Sequence, residues 1–281
     1  MKVFILIISF LFEITVFGQQ EYVDNGFTNK AEAKNLKVNG LKEGKWIEYM
    51  DEDENVATDT SQAMYYSLVI YKADKPLGVK RDYYANGQLY RECRYMNGVL
   101  NGLTVAYSIN GKLRGEIPYT NGEIYGFGKE YYESGKLKFE IPYTAGKPNG
   151  LEKDYYENGD IQWEKTYKNG LLEGIKKEYR NKVLVREVPC LHDTVNGMVK
   201  EFYQSGKLWH ETPFVMGKVN GDEKWYYENG KLKSSIPRIN GKIDGEEKEY
   251  YPDGKIQSVT IYNNDAKGVT KNYDESGNEV K

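Results

Sequence analysis

The chain has 281 residues, of which 29% are charged, with a formal net charge of only −3. That balance excludes nucleic acid as the main partner, because neutralising phosphates requires a clear basic excess. Tyr (26) and Gly (29) are the over-used residues, and strand-favouring Tyr with turn-forming Gly predicts many short strands joined by tight turns.

The first segment, "MKVFILIISFLFEITVFGQQ", begins with Lys2, followed by an apolar run from Val3 to Phe12. Val16 and Gly18 stand at −3 and −1 of a cleavage point before Gln19. Residues 1–18 therefore read as a secretory signal peptide, since a membrane span needs about 20 apolar residues. No Cys follows the run to carry a lipid. The expected location is secreted, periplasmic or cell-envelope, and the expected mature chain is not membrane-spanning. Residues 19–35, "QQEYVDNGFTNKAEAKN", read as a flexible lead-in.

From residue 36 to 281 the chain reads as a single β-hairpin repeat array. Residues 44–78 form a long first hairpin, with "GKWIEYM" and "YYSLVIYKADKPLG" as its strands and "DEDENVATDTSQA" between them. Asp51, Asp53 and Asn55 have the spacing of a calcium loop, but Val56 replaces the turn glycine and Gln62 the final Glu, which makes a solvated loop the better reading.

Glycines then recur at Gly78, Gly102, Gly126, Gly150, Gly174, Gly197, Gly221, Gly245 and Gly268, every 24 or 23 residues. A fixed period of this size means a repeat architecture. Counting each of these glycines as position 0, a unit carries one turn near position 9 and a second from position 19. Two turns and two short runs per unit make an antiparallel hairpin meander. The last stretch, 268–281, is a polar half-unit suited to ending an array.

Position 5 is aromatic throughout, as in Tyr83, Tyr131 and Tyr155, and position 11 is aliphatic, as in Leu89, Leu137 and Ile161. A three-residue loop with Gly in the left-handed region sets these two opposite each other. Positions 15 and 17 are expected on the same buried face, with Cys93 and Cys190 among them. About four units of roughly 10 Å separate these two cysteines, too far for a disulfide, so both should be free and buried. Proline at position 16 (Pro118, Pro142, Pro189, Pro213, Pro237) should end or bulge the second strand. Glu130 and Lys138 should pair across the hairpin. Position 6 then points outward, giving a candidate binding row of Tyr84, Tyr132, Tyr156, Tyr203, Tyr227 and Tyr251, flanked by position-10 lysines. On this facing, Tyr131→Ala should destabilise more than Tyr132→Ala.

"YYESGKLKFEIPY", "YYENGDIQWEKTY" and "YKNGLLEG" resemble the MORN-type repeat, in the variant found in bacterial YwqK-like proteins. The resemblance covers about residues 36–281. It implies a rod or trough of successive hairpins that serves as an interaction or membrane-tethering scaffold, and its bacterial relatives are often labelled antitoxins.

The sequence holds no G-x-S-x-G elbow, no phosphate loop before a helix, and two His, His192 and His210, without metal-ligand spacing. No catalytic, cofactor or metal residues are assigned, and no enzyme activity is expected. The expected function is a non-enzymatic repeat scaffold that binds a macromolecular partner in the cell envelope, with a protein as the expected partner. The alternatives are a glycan or cell-wall binding module using the tyrosine row, and an antitoxin-like or immunity-like neutralising protein.

Overall fold

A computed structural model describes residues 27–280 apart from residue 58. The signal-peptide reading and residues 19–26 of the lead-in lie outside the described residues. Among the described residues there is no α-helix; two short 3-10 turns, Lys30–Glu32 and Thr60–Gln62, precede a strand or interrupt a hairpin. All remaining regular structure is antiparallel strand, paired in chain order into one open sheet.

The Gly126 unit shows the construction. Strand Gly126–Tyr131 pairs with Leu137–Thr144, and Tyr131 stands opposite Leu137 as the aromatic–aliphatic pattern requires. Gly135 N–H donates to Tyr132 O, and Tyr132 N–H to Lys136 O, at 2.8 Å each. Gly135 has φ +82, which closes the three-residue loop. At the other end, Ala145 and Gly146 both have positive φ (49 and 74), the two-residue turn whose twist suits a hairpin. A two-residue strand, Lys147–Pro148, folds back before the next unit begins at Gly150.

Successive units are tied along both edges. Long strands of neighbouring hairpins pair at two positions, as Phe139 with Asp154 and Glu140 with Lys153. The two-residue turns form a second ladder, in which Gly146 N–H donates to Ile124 O at 2.9 Å and Gly170 N–H to Pro148 O at 2.8 Å. The Gly174 unit is one residue short because its loop is a two-residue turn, Asn181–Lys182, with φ 51 and 66.

The proline expectation needs correction. Strand Leu137–Thr144 runs straight through Pro142, so proline neither ends nor bulges it. Pairing to the next hairpin stops at Glu140, two residues earlier. Pro142 has no N–H for that side, and its carbonyl accepts from Asn149 N–H at 2.8 Å. Its ring packs where a Cβ on Gly150 would come within 2.8 Å of Cγ. Proline thus switches off one side of the ladder and makes room for the crossing to the next unit.

The facing expectation also changes. A bulge between Glu130 and Tyr131 sets Glu130 opposite Phe139 and leaves Lys138 over. Positions 13, 15 and 17 consequently share a face with 2 and 4, while 5 and 11 lie with 3 and 14. Cys93, Thr104, Ile141, Glu152, Val199, Thr212 and Glu223, from positions 2 and 15, are buried. Both Cys93 and Cys190 are free and buried. The Glu130–Lys138 ion pair forms at 2.6 Å across the bulge.

The deepest packing is at the N-terminal end. Phe27, Ser67, Leu68, Val69 and Asp82 are almost wholly inaccessible. Asp82 accepts from Ser67 Oγ, and its other oxygen pairs with Arg91 Nε at 2.8 Å. Arg91 reaches on to Glu54 at 2.7 Å, drawing the long first loop against the sheet. Tyr65, Tyr84 and Tyr90 stack beside it, with centroids 4.9 to 5.7 Å apart.

Candidate interaction face

The candidate tyrosine row is half-buried, and every one of its hydroxyls has a partner. Tyr84, Tyr132, Tyr156, Tyr203, Tyr227 and Tyr251 each donate to the backbone carbonyl of the position-5 residue one hairpin further on. These O···O distances run from 2.6 Å at Tyr132 to 3.1 Å at Tyr84 and Tyr156. The position-10 lysines behave alike: Lys112 Nζ donates to Glu133 O at 2.6 Å, and Lys207 Nζ to Glu228 O at 2.9 Å. The row is therefore a line of latches between hairpins, with the ring edges left to face solvent.

Position 5 does the same on the opposite face. Tyr131 donates to Glu116, Tyr155 to Glu140 and Tyr179 to Glu164, each to the preceding hairpin, at 2.8 to 3.0 Å. Burial first, and then the neighbouring carboxylate, push these three phenols up to about 12. A phenolate there would lie in a partly dry site beside a negative charge.

The face of positions 2, 4, 13, 15 and 17 carries the side chains that vary most between units. Towards the C-terminal end it is filled by paired charges and stacked rings. Lys165 bridges Glu152 and Asp154 at 2.6 Å each. His210 lies between Glu201 (2.8 Å) and Glu223 (3.1 Å), with the Trp225 ring stacked on it at 4.2 Å.

Between the Gly78 and Gly126 units the same face opens into a depression of about 370 Å³. Its walls include Ile117, Tyr119, Phe139, Ile141 and Tyr143. Its floor exists because small residues meet there. Position 4 is Ala106, where other units have Asp82, Glu130 or Trp225, and position 13 is Gly115, where others have Arg91, Phe139 or Trp163. Position 2 of the next unit is Gly128. Thr104 Oγ1 is buried beside the Cys93 thiol. Arg91 at one end is compensated by Asp82 and Glu54. Arg114 is exposed, lines the depression and has no carboxylate partner among the described residues. Sequence reasoning overlooked this depression; the signal lay in comparing units for missing volume rather than for conserved pattern.

The long-loop acids are used locally: the Asp51 carboxylate accepts from Asp53 and Asn55 N–H at 3.0 and 2.9 Å. Among the described residues no group of three or more His, Cys, Asp or Glu could hold a metal ion.

The MORN repeat variant family matches at residues 76–97, 128–145, 148–169, 195–216, 219–240 and 243–264. Six of its hairpins thus match the variant MORN repeat. No curated protein matches it. Among solved structures, the Photorhabdus luminescens Tc holotoxin pore is similar over 80% of this chain and 14% of its own, at 13% identity and a TM-score of 0.19.

Proposed function

We propose that this protein is a non-enzymatic scaffold that binds a protein partner across the sheet face of positions 2, 4, 13, 15 and 17. The observation that carries the reading is the depression between the Gly78 and Gly126 units, a largely apolar hollow in a face that elsewhere is filled by paired charges, stacked rings and aliphatic side chains. The array behind it is braced by tyrosine latches and turn ladders, so the face is held rigid before a partner arrives. Rigid extended surfaces of this kind suit macromolecular recognition, with affinity concentrated in a few pockets. The apolar run at the N-terminus supports a setting in the cell envelope. A net charge of −3 supports protein over nucleic acid.

The test is capture by the tagged mature chain, residues 19–281, from its host's envelope extract, followed by reconstitution from purified components. A single protein that re-forms a stoichiometric complex supports the reading. Polysaccharide enriched without protein replaces it with the glycan-binding alternative. A partner whose toxicity is released by deleting this protein narrows it to a neutralising role.

A further inference from the structure

We propose that the depression over Ala106, Gly115 and Gly128 is an anchor site for one aromatic side chain of a protein partner, flanked in that partner by an acidic residue. The inference rests on the protein-binding reading above and specifies its point of contact.

Three observations define the occupant. The first is shape. A hollow of about 370 Å³ accommodates an aromatic ring and its Cβ. It is open on the solvent side, and a free small molecule would leave much of its surface wet, whereas ligand pockets usually bury about 70–90% of their ligand. A side chain projecting from an extended partner buries its ring in the hollow while its backbone crosses the flanking hairpins.

The second is wall chemistry. Tyr119, Phe139 and Tyr143 present ring faces and edges, with Ile117 and Ile141 between them. Ile117 is 37% exposed although it stands at the position where Cys93 and Ile141 are buried, so the hollow leaves apolar surface uncovered. Aromatic rings packed against such walls gain both area burial and edge-to-face contact.

The third is charge. Charged side chains elsewhere on this face are largely paired, as in Lys165 with Glu152 and Asp154, or Arg238 with Glu223. Arg114 stands at the hollow with no such partner among the described residues, while Glu130, which also lines it, is taken by Lys138 at 2.6 Å. A guanidinium in that setting recognises a carboxylate and disfavours a second cation.

The array itself suggests the decisive variant. Position 4 carries Trp225 in the Gly221 hairpin, so Ala106→Trp places at position 4 a side chain the repeat already tolerates there, and fills the hollow. The probes are fluorescein-labelled Gly-Ser peptides with a central Glu-Phe-Glu, Glu-Ala-Glu or Lys-Phe-Lys, titrated by polarisation against the full mature chain. Burying one Phe side chain contributes about tenfold or more in affinity. The expected order puts Glu-Phe-Glu at least about tenfold tighter than the other two. Ala106→Trp should abolish that preference, and Arg114→Glu should transfer it to Lys-Phe-Lys, with thermal unfolding showing both variants folded. If Ala106→Trp unfolds, the exposed Arg114→Glu change still decides the matter. Equal binding of the three peptides to the wild-type chain, or a preference that survives both substitutions, overturns the proposal. A reconstituted partner that binds Ala106→Trp as tightly as wild type overturns the anchor site while leaving the scaffold reading intact.

Discussion

Removing a single hydroxyl at Tyr132 tests whether the tyrosine row braces the array. Its O–H donates to Tyr155 O at 2.6 Å, across the junction between the Gly126 and Gly150 hairpins. Tyr132→Phe keeps the ring and its packing and deletes only that bond, a loss of about 1 kcal/mol. In an array where each hairpin touches only its neighbours, the loss falls on one junction and lowers the stability of the whole. With a urea dependence of roughly 1–3 kcal/mol/M, the midpoint should fall by about 0.3–1 M. Replacing all six row tyrosines by Phe should remove about 6 kcal/mol, comparable with the total stability of many domains. The assay is urea unfolding followed by far-UV circular dichroism. Tyr125→Phe is the control, because Tyr125 is 58% exposed. If Tyr132→Phe and Tyr125→Phe unfold at the same urea concentration, the latch is not a stabilising contact and the row is free for other use.

Asp82→Ala should cost about 3–5 kcal/mol, because it takes the shared, inaccessible carboxylate from Ser67 Oγ, Lys80 and Arg91 Nε; calorimetry on the full chain reads it as a lowered Tm. Alkali should unfold the array. The Tyr131, Tyr155 and Tyr179 phenols sit at about 12 in the fold against 10 when unfolded, so between these values the unfolded chain binds fewer protons and stability falls as pH rises. That contribution is complete below pH 10 and gone above about 12, and phenolate absorbance near 295 nm should rise together with loss of the strand signal. Gly150→Ala should destabilise by about 1–3 kcal/mol, since Gly150 has φ +126 and its new Cβ would lie 2.8 Å from Pro142 Cγ. Adding Pro142→Ala should recover only the contact share of that loss, leaving the backbone strain, as read by the difference in urea midpoints.

Much of the fold is legible in the chain because its two turn signals repeat with fixed spacing. The aromatic at position 5 and the aliphatic at position 11 select the three-residue loop, and Tyr131 does face Leu137. Strand alternation then fails at one residue. Lys138 is an extra member of its strand, and nothing in its chemistry marks it as a bulge rather than a step. Crossing it exchanges the faces, so positions 15 and 17 join 2 and 4 instead of 5 and 11. The asymmetry expected between Tyr131 and Tyr132 disappears with it: both are half-buried and both hydroxyls reach a neighbouring hairpin. Those partners were not legible, because each lies in a different unit, and the distance between units depends on how Pro142 and Gly150 shape the crossing.

The same repeat logic says where function should be sought. Positions that hold neighbouring hairpins together are constrained in most units, as the turn glycines, the six tyrosine latches and the five position-16 prolines show. A partner cannot be distinguished by features that recur all along the array, since it would slide from one register to the next. Specific binding therefore needs a place where the repeat is broken without the fold being broken. The Gly102 hairpin is such a place. It carries Thr104, Ala106 and Gly115 on one face, and Ser108 in place of the latch tyrosine, with the hydroxyls of Thr104 and Ser108 both buried. The junction between the Gly102 and Gly126 hairpins is held instead by Lys112 Nζ donating to Glu133 O and by Tyr131 donating to Glu116, while Tyr84 and Tyr132 latch the junctions on either side of it. The missing volume is thus tolerated locally because stability is held by the units around it. That is the condition under which a structural repeat can give up packing in one unit to form a site.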